Sequence, residues 1–352
     1  MKKTLGTLLA FSLFVGSALG YGPRGHRLVG AIADRRVAKN AITKAKVSEL
    51  LFGLTLQRAA TLPDEIKTWD FNPNGFHLPD QYKELEDQLR AFVKANPNPK
   101  SGQHNPPGVP SHHEFHYTDV PVFGNEQYSP GTIGRSEFDI VHMIPFCIRV
   151  LKGQEPNDND RKITKSVALV LLVHYFGDIH QPLHVGAEYF DSSGNPFEPS
   201  SNNHGFADQG GNKLTLYTFV AGKLKSAGKF HSYWDGQTVD NAFGTVADST
   251  IAKRLTNNEP ADWKLTGPVE TWAEKMANEI LPIAREAHTR LEFTKINIPP
   301  GIPPGSDIKG GRGSEKKKSH GRFYANWAAA TVKTEIRKGG WRLAALLEEI
   351  LQ

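Results

Sequence analysis

The segment His174-Tyr-Phe-Gly-Asp178-Ile-His-Gln-Pro182-Leu-His184 sets an imidazole and a carboxylate four residues apart in an apolar run. On a helix these positions share one face. Burying both is costly unless they pair or bind a metal, and the spacing leaves both readings open: a structural His–Asp hydrogen bond or a shared cation. Pro182 ends or kinks the helix and can swing His184 back toward the same space. His231-Ser-Tyr-Trp-Asp235 repeats the four-residue spacing. One such pair is common on helix surfaces. Two, one of them followed by a third histidine, point to metal. Zinc takes His nitrogen and Asp oxygen, and its catalytic sites keep a position open for water.

Further donors lie elsewhere. In Tyr21-Gly-Pro-Arg-Gly-His26, a free α-amine and the carbonyl of Tyr21 could chelate a metal beside His26. Leu62-Pro63-Asp64-Glu65 offers a carboxylate, and His113-Glu-Phe-His116-Tyr-Thr-Asp119 offers a histidine flanked by an aromatic and an acid.

In this order the residues resemble the zinc-dependent single-strand-specific nucleases, also called nuclease/3′-nucleotidases, which share a trinuclear zinc site with bacterial phospholipase C. The resemblance runs from Tyr21 nearly to the end and includes Gly210-Gly211-Asn212 and the closing Lys338-Gly-Gly-Trp-Arg-Leu-Ala344. It implies three Zn2+ ions: one on Asp64, His116, His174 and Asp178, a second on His184, His231 and Asp235, and a third on the Tyr21 backbone, His26 and the bridging Asp178. It implies that a water held between the first and third ions, acidified toward neutral pKa, attacks phosphorus in line. The second ion would stabilise the leaving 3′-oxygen, giving 5′-phosphates. Asp64 and Lys67 would be the catalytic side chains beside phosphate, Lys67 standing where the family has Arg. Lys supplies charge without the bidentate fork. Tyr117 would stack a base and Asp119 would hydrogen-bond it; stacking tolerates any sequence but needs an unpaired base. Tyr21 replaces the usual Trp, and Lys229-Phe230 the usual Asn-Leu before His231. The expected substrates are single-stranded DNA and RNA and 3′-nucleotides. Two alternatives share the metal site: a phospholipase C, which would need an apolar entrance, and a non-catalytic envelope zinc-binding protein.

The elements that must position these groups read as mainly helical. Apolar periodicity marks helices over 26–38, 43–53, 80–95, 134–152, 162–181, 269–292 and 323–351, and only Lys213–Val220 alternates like a strand. The expectation is a single phospholipase C/nuclease-type helical domain over 21–352, with a minor β-hairpin and long surface loops, 70–113 and 295–321 being insertions. The helix inside 70–113 is a candidate lid. Residues 1–20 read as a secretory signal peptide: Lys2 and Lys3, an apolar run Leu8–Val15, then Ala18 and Gly20 at the cleavage spacing. Cleavage after Gly20 removes two lysines and lowers the net charge from +5 to +3, too little to demand a nucleic-acid partner by itself. The expected location is secreted or periplasmic, the expected state a monomer. The one cysteine, Cys147, excludes an internal disulfide and lies in an apolar stretch, so it reads as a buried residue. The composition, 38% hydrophobic and 22% charged, suits a chain with a sizeable core. His77, His104, His204, His288 and His320 read as solvated, His142 and His180 as packing or hydrogen-bonding on helices, and His112 and His113 have no matching family position.

Overall fold

A computed structural model describes residues 21–99, 105–106, 108–257, 263–317 and 321–352. Residues 1–20, read above as a signal peptide, lie outside the described residues, as do His104 and His320. Helix α1 (Pro23–Val37) starts with Pro in its first turn, where a missing N–H does no harm. It is followed by α2 (Ala41–Leu50), capped by the Asn40 side chain, and by the short α3 (Leu56–Ala59) and α4 (Leu62–Glu65). A 3-10 turn, Ile66–Asp70, continues α4. Then come α5 (Lys83–Ala95), α6 (Ile140–Leu151) and α7 (Lys165–Asp178). The remaining helices are α8 (Phe230–Ser232), α9 (Thr238–Phe243), α10 (Asp248–Leu255), α11 (Trp272–Thr289) and α12 (Tyr324–Ile350). The fold is mainly α.

Helix α7 is the axis. Apart from Lys165 it is buried on every side, from Ser166 to Asp178, as expected of a helix that is apolar all round. Thr164 caps its start by accepting from the Val167 N–H. Helices α1, α5, α6 and α12 pack around it. Gly339 and Gly340 let α12 come close: a Cβ on Gly340 would lie 2.6 Å from Ile32 Cβ of α1, and one on Gly339 2.8 Å from the Phe176 carbonyl of α7. Gly340→Ala is therefore expected to cost about 1–3 kcal/mol by overpacking. In urea the midpoint should fall with an unchanged slope; an unchanged midpoint would show that the crossing can relax.

The β structure is richer than a hairpin. Strands β1 (Val120–Pro121) and β2 (Gly186–Ala187) pair in parallel, and β3 (Tyr189–Phe190) pairs with β4 (Phe206–Ala207). Strands β5 (Leu214–Val220), β6 (Lys223–Lys229), β7 (Leu291–Asn297) and β8 (Gly310–Glu315) form a sheet in the order β6-β5-β8-β7. Only β5 shows the alternating burial that periodicity detects. β6 is a largely exposed edge strand, and β8, Gly-Gly-Arg-Gly-Ser-Glu, has glycine where an alternating pattern needs apolar residues. That is why 310–315 reads as loop in the sequence and forms a central strand here.

Helix α5, the candidate lid, instead buries Leu85, Leu89, Phe92 and Val93 in the core, packing against α7. Cys147 is fully buried, and burial raises its thiol pKa. His180 is buried and donates from Nδ1 to the Phe176 carbonyl at 2.8 Å. His288 corrects the solvated reading: it is fully buried, with Nδ1 on the Ala284 carbonyl and Nε2 3.1 Å from Asp208. Its i−4 carbonyl partner gives no signal that sequence spacing would reveal.

Candidate metal centre

Helix α7 delivers His174 and Asp178 from its last turn into a buried space, and α1 delivers His26 from its first turn. The His26 ring stacks on His174 with centroids 3.8 Å apart and planes 10° apart. His26 also meets Gly177, where a Cβ would sit 2.5 Å from Nδ1. A glycine between His174 and Asp178 is what admits the His26 ring.

Asp178 faces two groups at once. One oxygen, Oδ1, lies 3.3 Å from His26 Nε2. The other, Oδ2, lies 2.9 Å from His116 Nδ1 and 3.1 Å from His174 Nε2. His116 comes from a 3-10 turn, Glu114–His116. Asp64, in α4, approaches His174 Nε2 at 3.7 Å and pairs with Lys67 Nζ at 2.8 Å. His184, at the end of the 3-10 turn Pro182–His184, faces His231 with Nε2 atoms 3.1 Å apart. Asp235 Oδ2 is 3.5 Å from His231 Nε2. Residues Tyr233–Gln237 form a π-helical turn joining α8 to α9, a local widening common at functional sites, and Asp235 sits in it. Tyr21 is fully buried, its hydroxyl donating to the His180 carbonyl, and the neighbouring Gly22 N–H bonds the Asp235 carbonyl at 2.7 Å.

Three imidazoles are oriented by backbone carbonyls. Nδ1 donates from His174 to Ala60, from His184 to His116 and from His231 to Gly210, at 2.7, 2.8 and 2.7 Å. For His184 and His231 this leaves Nε2 as a lone pair, the arrangement that metal-ligating histidines adopt, while His174 turns Nε2 to Asp178 Oδ2 at 3.1 Å. Two such lone pairs, on His184 and His231, then point at one another with no proton between them. That contact is repulsive unless a cation separates them.

Charge gives the same answer. Burial raises the Asp64 and Asp178 carboxyls, but their neighbours outweigh it: Lys67, His174, His26 and His116 for Asp64, and His174, His184 and His116 for Asp178. Both are held below the usual carboxylate range. Asp235 goes the other way, raised by burial and by Asp64 and Asp178 against the Gln181 hydrogen bond. Burial lowers His26, His116 and His184 and pushes His231 down to about 3, which favours the neutral form that can ligate, whereas Asp178 and Asp64 raise His174 against burial. Finally, both nitrogens of His26, Asp64 Oδ2 and Asp178 Oδ1 are buried without a hydrogen-bond partner. Buried polar groups are rarely left so. These orphaned donors, all N or O, fit zinc.

The donors fall into overlapping groups: His26–His174–Asp178, Asp64–His116–His174 and His184–His231–Asp235, the ligand atoms in each within 4.8 Å of one another. With known proteins the correspondence is direct. The family model described as S1/P1 nuclease matches residues 21–352. The chain belongs to the S1/P1 nuclease family. Endonuclease 4 of Arabidopsis thaliana is 24% identical over 212 residues, covering 58% of this chain and 57% of the relative. Endonuclease 1 of the same plant is 25% identical over 203 residues, covering 54% and 52%. The chain thus matches little more than half the length of these relatives.

In this S1/P1 family member a surface platform adjoins the donors. Tyr117 follows His116 in extended backbone, and Thr118 N–H bonds the His184 carbonyl at 2.9 Å. Residues alternate sides in such a segment: Thr118 is buried, whereas Tyr117 is 38% exposed and Asp119 half-buried. Burial, with Asp208, Asp307 and Asp139 nearby, pushes the Asp119 carboxyl up to about 8.

Some contributors gave no side-chain signal in the sequence. The carbonyls of Ala60, His116 and Gly210 are backbone groups. Gly210 belongs to the Gly210-Gly211-Asn212 motif; its φ is +52°, and a Cβ there would lie 2.1 Å from the Leu183 carbonyl. Gln181 donates to Asp235 Oδ1 at 2.9 Å and also accepts the Leu183 N–H, a role a reading confined to ionisable residues passes over.

Proposed function

We propose that the chain is an exported zinc-dependent endonuclease that hydrolyses single-stranded DNA and RNA to 5′-phosphates, with 3′-nucleotidase activity. The observation that supports it most is the set of buried, partnerless donors converging on the two oxygens of Asp178, beside an exposed aromatic platform. Three Zn2+ would be held by Asp64, His116, His174 and Asp178, by His184, His231 and Asp235, and by the Tyr21 backbone, His26 and Asp178. Bound there, zinc would acidify water and neutralise phosphate charge. The protein's own part is positioning. Backbone carbonyls fix three imidazole tautomers, Lys67 adds positive charge next to Asp64, and the apolar walls of α1 and α7 exclude bulk water from the donors.

Tyr117 offers a ring face to an unpaired base, and Asp119, two residues further along on the same side, reaches its polar edge. Stacking is worth about 1–3 kcal/mol per base, so Tyr117→Ala is expected to raise KM about tenfold or more with a smaller change in kcat. Asp119 is a hydrogen-bond donor below about pH 8 and only an acceptor above it. KM is therefore expected to step near that pH, and Asp119→Asn, which donates at every pH, should remove the step. A step that persists in the Asn variant would assign it elsewhere.

Residues 1–20 are proposed as the export signal, with cleavage exposing Tyr21. Among the described residues no helix is long and apolar enough to cross a membrane. The reading is tested by offering the cleaved, zinc-loaded chain single-stranded and duplex DNA and RNA of one sequence and mapping the product ends. Single strands should be cut to 5′-phosphates well ahead of duplex. Cleavage of lipid phosphodiesters with no attack on nucleic acid would favour the phospholipase C reading. No hydrolysis of either would favour a zinc-binding protein.

A further inference from the structure

Outside the nine donors, a second kind of convergence occurs at the two ends of the 70–113 stretch. Asp70 closes the 3-10 turn that begins just after α4. His112 and His113 lie 42 and 43 residues further on, and both rings turn Nε2 toward the same oxygen, Asp70 Oδ2, at 2.9 and 2.8 Å. The rings meet edge to face with centroids 4.6 Å apart. The Asp70 and His112 side chains are 5% and 1% exposed, whereas that of His113 is 24% exposed.

The scaffold holds this arrangement. The His112 N–H bonds the Asn96 carbonyl at the end of α5, and Phe92 of α5 meets the His112 ring edge-on. Ser111 Oγ bonds Asn98 and accepts the His113 N–H. Two consecutive histidines whose rings converge on one buried carboxylate need a backbone pinned on both sides, and 96–98 provides it.

We infer that Asp70, His112 and His113 form a further divalent-metal site, separate from the nine-residue centre and selective for zinc-like cations. The donor set is two imidazole nitrogens and one carboxylate oxygen, all within 4.8 Å of one another. Nitrogen donors favour zinc and related transition metals over calcium and magnesium, which prefer oxygen. Three protein ligands leave a tetrahedral ion one position, and the solvent-facing side of His113 opens it to water. The donors stand at hydrogen-bond separations, as do His116, His174 and Asp178 in the main centre.

The consequence is mechanical. An ion here clips together the ends of a 42-residue loop, and clips that close long loops stabilise most. One end is three residues from Lys67, the other three residues from His116. The site therefore ties together the two segments that carry Lys67 and His116.

Zinc content and zinc-edge anomalous diffraction of the cleaved, zinc-equilibrated chain test the site, compared with His113→Ala and Asp70→Asn. The wild type is expected to carry one zinc more per chain than either variant, with an anomalous peak between Asp70, His112 and His113. The anomalous map shows whether the ion lost in the variants belongs to these three residues or to the main centre. Equal zinc content in wild type and His113→Ala would overturn the site and leave a hydrogen-bonded latch. If His113→Ala does not fold, the wild-type map decides: no peak at these three residues overturns the inference.

Discussion

Asp178→Asn is expected to lose two zinc ions together and to lower phosphodiester hydrolysis about a thousandfold, the equivalent of about 4 kcal/mol of transition-state stabilisation. The carboxylate sends one oxygen toward His26 and the other toward His116 and His174. An amide of the same shape keeps one oxygen but turns a neutral NH2 toward the other group, and that cannot ligate. The charge matters as much. Asp178 is the carboxylate on which His174, His184 and His116 converge, and its charge would offset that of a cation held among them. Zinc analysis after equilibration with buffered zinc checks the claim. Retention of every ion by the Asn variant would show that Asp178 is not a bridge.

Gly177→Ala is expected to remove the ion held near His26 while leaving the fold nearly as stable as before. The new methyl would lie 2.5 Å from His26 Nδ1 and 2.8 Å from Cε1. The ring is also stacked on His174 at 3.8 Å, which limits how far it can shift. Overpacking costs about 1–3 kcal/mol, but alanine recovers about 1 kcal/mol of helix propensity in α7. Stability and metal occupancy should therefore separate. Disturbing the shell around a ligand typically costs about 10–100-fold in affinity or activity, and that range is expected for hydrolysis. Thermal unfolding of the zinc-free protein, beside zinc content of the loaded one, distinguishes this from general damage. A variant that loses stability and keeps all its zinc would contradict the clamp.

The helices were legible wherever a buried face repeats along the chain. The apolar run Val167–Val173 located α7, and the spacing of Leu28, Val29 and Ile32 located α1. Spacing singled out His174 with Asp178 and His231 with Asp235, Pro182 singled out His184, and the set that adds His26, Asp64 and His116 is what the family resemblance implies; the structure places these side chains close to one another. What escaped falls into two physical classes. Strands β6, β7 and β8 carry exposed or glycine-rich sequences whose order comes from backbone pairing to β5 and not from an apolar pattern. The acceptors that set the histidine tautomers are main-chain carbonyls, identical at every residue. Convergence of Asp70 with His112 and His113 escaped for a third reason, since a 42-residue separation is closed only by the packing of α5.

The central claim is that these clustered donors act through bound zinc on single-stranded nucleic acid. The most direct measurement strips the cleaved chain of metal, confirms that it remains folded, and follows release of 5′-mononucleotides from single-stranded RNA as zinc is returned stepwise. Release should be absent from the stripped protein, appear only as the centre fills, and vanish again on chelation. Full hydrolysis by folded, metal-free protein would contradict the account.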